Sequence, residues 1–316
     1  MEERNCTTAA QFILLGLPDQ PELKLVVLLM FLTIYVTILV GNLTMVTLIE
    51  ISPQVHSHMY FFLRNLSLVV AVYSSGIVSK VLINYLLETK VISFGECVVQ
   101  FFFLSFFASM EFFLATMAYD RFIAVCHPLL YTVIMSKEVC ILLGASSYLL
   151  SCLSAVVHTS SLFRLLFGSF NIINNFFCDI PPLHAIYCSD IYIANLVHFV
   201  FTTLVLIITI VAILFSYVYI VVTILRIHSA EGRCKVFSTC ASHITVVFLL
   251  YGTLFFIYTT RSTSTKSLDQ GKMVSVFFTL VIPMYNPLIY SLRNKEVKEA
   301  LKKTKSGDSS VSKCNQ

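Results

Sequence analysis

The sequence predicts an all-α membrane protein built as a bundle of seven transmembrane helices, and two observations carry that expectation. Of 316 residues, 57% are hydrophobic and 12% charged, with a mean hydropathy of +0.85, whereas soluble domains run at about 45–50% apolar and about 25% charged. The apolar residues also arrive in long blocks almost free of charge, close to the roughly 20 residues that a bilayer core of about 30 Å asks of a helix. An ordinary cytosolic globular protein is excluded. A net charge of +4 is too small to argue for nucleic acid.

Seven blocks qualify, at residues 25–49, 59–82, 98–123, 139–163, 193–225, 236–258 and 273–292. Five carry no interior charge. The second contains Arg64 and ends at Lys80, while the third holds Glu111 at its middle and Asp120 beside Arg121 near its end. Charges in a span are costly unless paired or turned to water, so these two spans are where polar function is expected. The domain reading is an extracellular N-terminus over 1–24, a membrane domain over 25–292 and a cytoplasmic tail over 293–316. Orientation follows from the Lys and Arg bias of the connections. Thirteen such residues, among them Arg64, Arg121, Arg226, Arg233 and the tail lysines, fall on one side and seven on the other. The tail side is therefore expected in the cytoplasm and the N-terminus outside, where Asn5-Cys6-Thr7 forms a glycosylation sequon at Asn5. No cleavable leader is visible, so the first span is expected to act as the targeting signal.

Cys6, Cys97, Cys178 and Cys188 fall on the outer side, where disulfides persist, and can be paired or free; the other six cysteines lie in spans or on the cytoplasmic side. The eight histidines are scattered, with none paired at a metal-binding helical spacing beside an acid. No glycine-rich phosphate loop and no nucleophilic triad can be read. The residues therefore give no foothold for an enzyme, a metal site or a cofactor.

The decisive signals are local. Met117-Ala118-Tyr119-Asp120-Arg121-Phe122-Ile123-Ala124-Val125-Cys126 closes the third span, and Lys235-Val236-Phe237-Ser238-Thr239-Cys240-Ala241-Ser242-His243 opens the sixth. Pro283-Met284-Tyr285-Asn286-Pro287-Leu288-Ile289-Tyr290 closes the seventh, and Met59-Tyr60-Phe61-Phe62-Leu63 opens the second. Together with Gly41-Asn42 and Ser216-Tyr217, this ordered set resembles the olfactory (odorant) receptors, a rhodopsin-like G-protein-coupled receptor family, over nearly the whole chain.

Each motif has a physical reading beside the resemblance. Asp120 and Arg121 form an ion pair at a membrane boundary that can open toward water. Pro287 removes one backbone hydrogen bond inside the seventh span, so neighbouring polar groups must re-satisfy the freed carbonyl. The resemblance implies a receptor of the plasma membrane that binds small volatile odorants and activates a stimulatory heterotrimeric G protein, raising cyclic AMP. Asp120, Arg121, Tyr217, Asn286, Pro287 and Tyr290 would serve coupling, with Tyr217 and Tyr290 as partners. It also implies a Cys97–Cys178 disulfide and a short amphipathic helix at 296–303 on the membrane surface. Matched span by span, the odorant pocket would take Leu104, Ser105, Ala108 and Ser109 from span three and Phe201, Thr202 and Val205 from span five. Tyr251, Phe255 and Tyr258 of span six, with Val276 and Thr279 of span seven, would complete it. Such apolar walls with a few hydroxyls suit a small, neutral, lipophilic ligand.

Four departures from the family pattern stand out. Val70 occupies the place of an aspartate that helps hold sodium, which leaves Glu111 as an isolated acid. The stretch from Cys97 to Arg121 is one residue short, so the third helix has to overwind or misplace one end, since one residue is worth about 100° and 1.5 Å. Gly168 stands where a further loop cysteine is usual, leaving Cys188 without that partner. His58 replaces a proline, a change expected to loosen the start of span two and to matter little. The competing reading is a receptor-like chain with weak or no coupling. A transporter would need two related halves with paired broken spans, of which only the seventh span offers a sign.

Overall fold

The computed structural model describes residues 11–15, 21–51, 58–86, 91–168, 171–261 and 276–293. The helices overrun the apolar blocks at nearly every end: α1 (Pro21–Ile51), α2 (His58–Leu86), α6 (Lys137–Phe163), α8 (Tyr192–Arg226) and α9 (Ala230–Arg261), with α3 (Phe94–Ala108) and α4 (Glu111–Cys126) together forming the third span. The cause is that polar residues suit helix ends in water. Ser136 caps α6 by accepting from the Val139 amide, and Ser93 with Glu96 closes a reciprocal capping box on α3. Among the described residues, five helical stretches are long and apolar enough to cross a bilayer. The sixth helix carries the shorter apolar run Cys240–Phe256. The seventh span begins, in its described part, with a wider π turn, Phe277–Val281, and continues as α10 (Ile282–Arg293). A short helix α5 (Tyr131–Ile134) follows α4.

One large core runs through the bundle from Phe12 and Phe167 at one end, through Phe101, Phe113 and Met117, to Met135 and Cys140 at the other. A smaller cluster of Phe31, Val78, Val81 and Leu280 joins α1, α2 and the π turn. Large apolar side chains on α1, α6 and α8, among them Val26, Leu142 and Ile208, point outward, as a lipid-facing surface requires.

Two features stand out, of which only the first was not expected. Three short strands form a small sheet over the loop end, with β1 (Gln11–Leu14) antiparallel to β2 (Val91–Ser93) and parallel to β3 (Ile172–Ile173). Their Phe, Ile and Val content favours strands, and Asn171 Nδ2 donates to the Gln11 carbonyl at 2.7 Å. Between β3 and α8 lies the short helix α7 (Ile180–His184). Cys97 at the head of α3 is disulfide-bonded to Cys178 of the same loop. Cys188 is disulfide-bonded too, a pairing that the sequence left open.

The second feature is the third span itself. It is broken at Ser109 and Met110, where amides bond three residues back instead of four: Met110 to Phe107 at 2.9 Å, Phe112 to Ser109 at 3.4 Å and Phe113 to Met110 at 2.9 Å. A 3₁₀ residue turns about 20° further and rises about 0.5 Å more than an α residue. Three of them add about 1.5 Å of rise and about 60° of turn. The third span is therefore overwound at residues 107–113, about one turn before the stretch between Glu111 and Met117 to which the family motif pointed.

Candidate functional site

At the end opposite the disulfide, α4 buries Asp120 completely and Arg121 nearly so. Arg121 Nη2 stands 3.4 Å from Asp120 Oδ2, close enough for charge attraction and too long for a strong charge-assisted hydrogen bond. Asp120 Oδ1 instead accepts from the Tyr131 hydroxyl at 2.8 Å. Burial and the neighbouring Asp120 carboxylate push the Tyr131 phenol above its ordinary range, so that hydroxyl stays a donor. His58 Nδ1 lies 3.2 Å from the same hydroxyl. The histidine read as a minor replacement for proline therefore has a partner that the sequence did not indicate.

Tyr217 of α8 meets His243 of α9 at 2.7 Å from its Nδ1, and His243 Nε2 stands 3.0 Å from the Leu114 carbonyl of α4. A carbonyl can only accept, so Nε2 carries the proton and, in the neutral ring, Nδ1 accepts from the tyrosine. One imidazole thus ties three spans. The expected partnership of Tyr217 with Tyr290 cannot be placed, because the Tyr290 and Asn286 side chains lie outside the described residues.

Pro287 leaves the Pro283 carbonyl without its helical donor. Asn42 Nδ2 reaches that oxygen at a long 3.5 Å while donating to Ile38 at 2.8 Å. Gly41 makes the approach possible, since a Cβ there would stand 2.9 Å from Pro287 Cγ. The Gly41-Asn42 pair and the proline thus form one packing unit between α1 and α10. Val70 is fully buried apolar core.

The residues matched to a pocket are distributed more widely than the span-by-span reading placed them. Leu104 and Ser105 are buried in α3, and Ala108, Phe201, Thr202, Val205 and Tyr251 are half-buried. Ser109 is committed to α6, donating to Ser154 Oγ at 2.9 Å, while its carbonyl accepts from Ser151 at 2.9 Å. Thr279 lies beside Tyr73 of α2, and Val276 packs on the cluster shared by α1 and α2. Phe255 is 71% exposed, and the Tyr258 side chain lies outside the described residues. Tyr251 donates to Thr209 at 2.7 Å and lies beside Glu111, so that acid is less isolated than its sequence context implied. Its Oε2 still lacks a hydrogen-bond partner among the described residues.

One polar cluster escaped the sequence reading. His158 of α6 and His198 of α8 have nearly parallel rings with Nδ1 atoms 2.5 Å apart. Phe201 stands edge-on to His158 and Phe101 edge-on to His198. A lone histidine in a charge-free span was the available signal, because a buried imidazole in a bilayer needs a partner; their separation of 40 residues hid the pairing. Among the described residues no three His, Cys, Asp or Glu side chains gather as a metal site.

Comparison with known proteins matches residues 31–306 to the olfactory receptor family model. Olfactory receptor 5AR1 of Mus musculus is 48% identical over 304 residues, covering 96% of this chain and 98% of the relative. Olfactory receptor 5I1 of Homo sapiens is 49% identical over 302 residues, covering 95% and 96%. Among solved structures, squid rhodopsin superposes with a TM-score of 0.70 at 17% identity, covering 92% of this chain and 82% of that one. The last likeness speaks to the fold alone.

Proposed function

This chain belongs to the olfactory receptor family, and from that premise we propose that it binds small lipophilic volatile molecules and activates a stimulatory heterotrimeric G protein, raising cyclic AMP through adenylyl cyclase. Membership also settles two simpler questions: the chain is a multi-pass membrane receptor and not an enzyme, and the transporter reading falls away. The proposed orientation keeps the N-terminus, with Asn5 as its glycosylation site, outside the plasma membrane and the tail in the cytoplasm, following the Lys and Arg bias.

One observation carries the coupling step. Asp120 and Arg121 are buried, yet their mutual contact is a loose 3.4 Å, so separating them exchanges a weak contact for hydration or for a partner's acceptors. Arg121, released, would meet the terminal helix of the G-protein α-subunit. Tyr217, Asn286, Pro287 and Tyr290 would move with it. The ligand would lie between Leu104, Ser105 and Ala108 of α3, Phe201, Thr202 and Val205 of α8 and Tyr251 of α9, with Phe101, His158 and His198 as further polar and aromatic wall. Ser109, Phe255, Tyr258, Val276 and Thr279 complete the family-matched set.

A second reading is favoured by the overwound turn at residues 107–113: ligand binds but its signal reaches Arg121 poorly. The experiment is cyclic AMP production across a panel of volatile odorants in cells displaying the chain, alongside a variant with one Leu inserted after Leu114. A dose-dependent response in the native chain supports full function. Silence despite surface staining, with response restored by the insertion, supports the second reading.

A further inference from the structure

Tyr131 has one hydroxyl proton, and the Asp120 carboxylate, having none to give, takes it at 2.8 Å. Toward His58 the same oxygen can then only accept, so His58 Nδ1 is the donor at 3.2 Å. His58 is the first residue of α2 and Tyr131 the first of α5, so two hydrogen bonds in series tie the ends of two elements to the carboxylate on α4. We propose that His58 is a positioning residue for coupling: by holding Tyr131 on Asp120 it biases the receptor toward the closed arrangement in which Asp120 faces Arg121. The proposal rests on the reading of Asp120 and Arg121 as coupling residues. Proline at this position has no donor, so a chain carrying it would lack this hold.

The test uses the full chain in cell membranes and two readouts. Cys240 is 2% exposed and lies near Arg121, so its rate of maleimide labelling, followed by peptide mapping, reports opening of the cavity without any G protein. His58→Pro is expected to speed Cys240 labelling about two- to tenfold, the range set by one neutral hydrogen bond. His58→Asn, which can offer an N–H near the place of Nδ1, is expected to label at the native rate. In a Tyr131→Phe background His58→Pro should add nothing. Native-rate labelling in His58→Pro, a His58→Asn variant as fast as His58→Pro, or a full additional increment on Tyr131→Phe each overturns the proposal. Basal cyclic AMP in the same cells is the second readout. Faster labelling with cyclic AMP flat in every variant keeps the His58 assignment and defeats the stimulatory G-protein reading instead.

Discussion

At one end of the bundle the chain is held covalently, with Cys97 bonded to Cys178 and β1 paired between β2 and the strand β3 of the same loop. At the other end nothing is covalent among the described residues: Asp120, Arg121, Tyr131 and His58 are connected by two hydrogen bonds and a 3.4 Å charge contact. The first arrangement cannot come apart at Cys97 and Cys178 without breaking a covalent bond. The second changes state for the cost of a few weak contacts, each worth about 0.5–1.5 kcal/mol net. On the proposed function the first would be a fixed mouth that keeps ligand geometry and the second a closed base whose open state a ligand favours. The third span joins them, and its overwound turn sits between the two.

Breaking the fixed end should have the largest effect. Cys97→Ser removes a crosslink between positions 81 apart in sequence, a loss of about 2–5 kcal/mol. Surface staining is expected to fall close to background, and near-native surface levels would show that the sheet alone holds the loop. Next comes the connection between α1 and α10. Gly41→Val places carbon where Pro287 Cγ would be 2.9 Å away, and overpacking of this kind costs about 1–3 kcal/mol. The thermal midpoint of the purified receptor should drop; an unchanged midpoint would mean that α10 shifts freely.

How much of this was legible in the sequence depends on the range of the signal. The helices were, because a charge-free run of bilayer length is a local property that no distant contact overrides. So was the need of Pro287 for a neighbouring donor, since a proline inside a span frees a carbonyl, although that Asn42 beside Gly41 supplies it required the structure. The sheet was not: strands as short as Ile172–Ile173 exist only through their partners. Nor were the pairings of His58 with Tyr131, Tyr217 with His243 and His158 with His198, which join residues 73, 26 and 40 positions apart. Spacing along a chain fixes which residues share a helix face and says nothing of which faces meet. Overwinding of the third span was expected only from comparison with the family motif, and sequence could not tell which turn would carry it.

The labile end yields smaller effects, and these sharpen the contrast. Tyr217→Phe leaves His243 Nδ1 without its donor in a buried site, worth about 1–3 kcal/mol. The thermal midpoint should fall by less than in Cys97→Ser, and basal cyclic AMP should change while surface staining holds. The smallest effect is expected from Arg64 and Glu50, an ion pair between α2 and α1 whose side chains are 41% and 53% exposed. Exposed pairs contribute about 0.2–1 kcal/mol because water screens the attraction and both side chains lose freedom. Glu50→Gln should therefore shift the thermal midpoint barely beyond error, and any shift should shrink as salt rises toward 1 M, where the screening length is about 3 Å. A salt-insensitive loss as large as that of Tyr217→Phe would place this pair among the contacts that hold the base closed. The labile end would then extend across α1, beyond the four residues at Asp120.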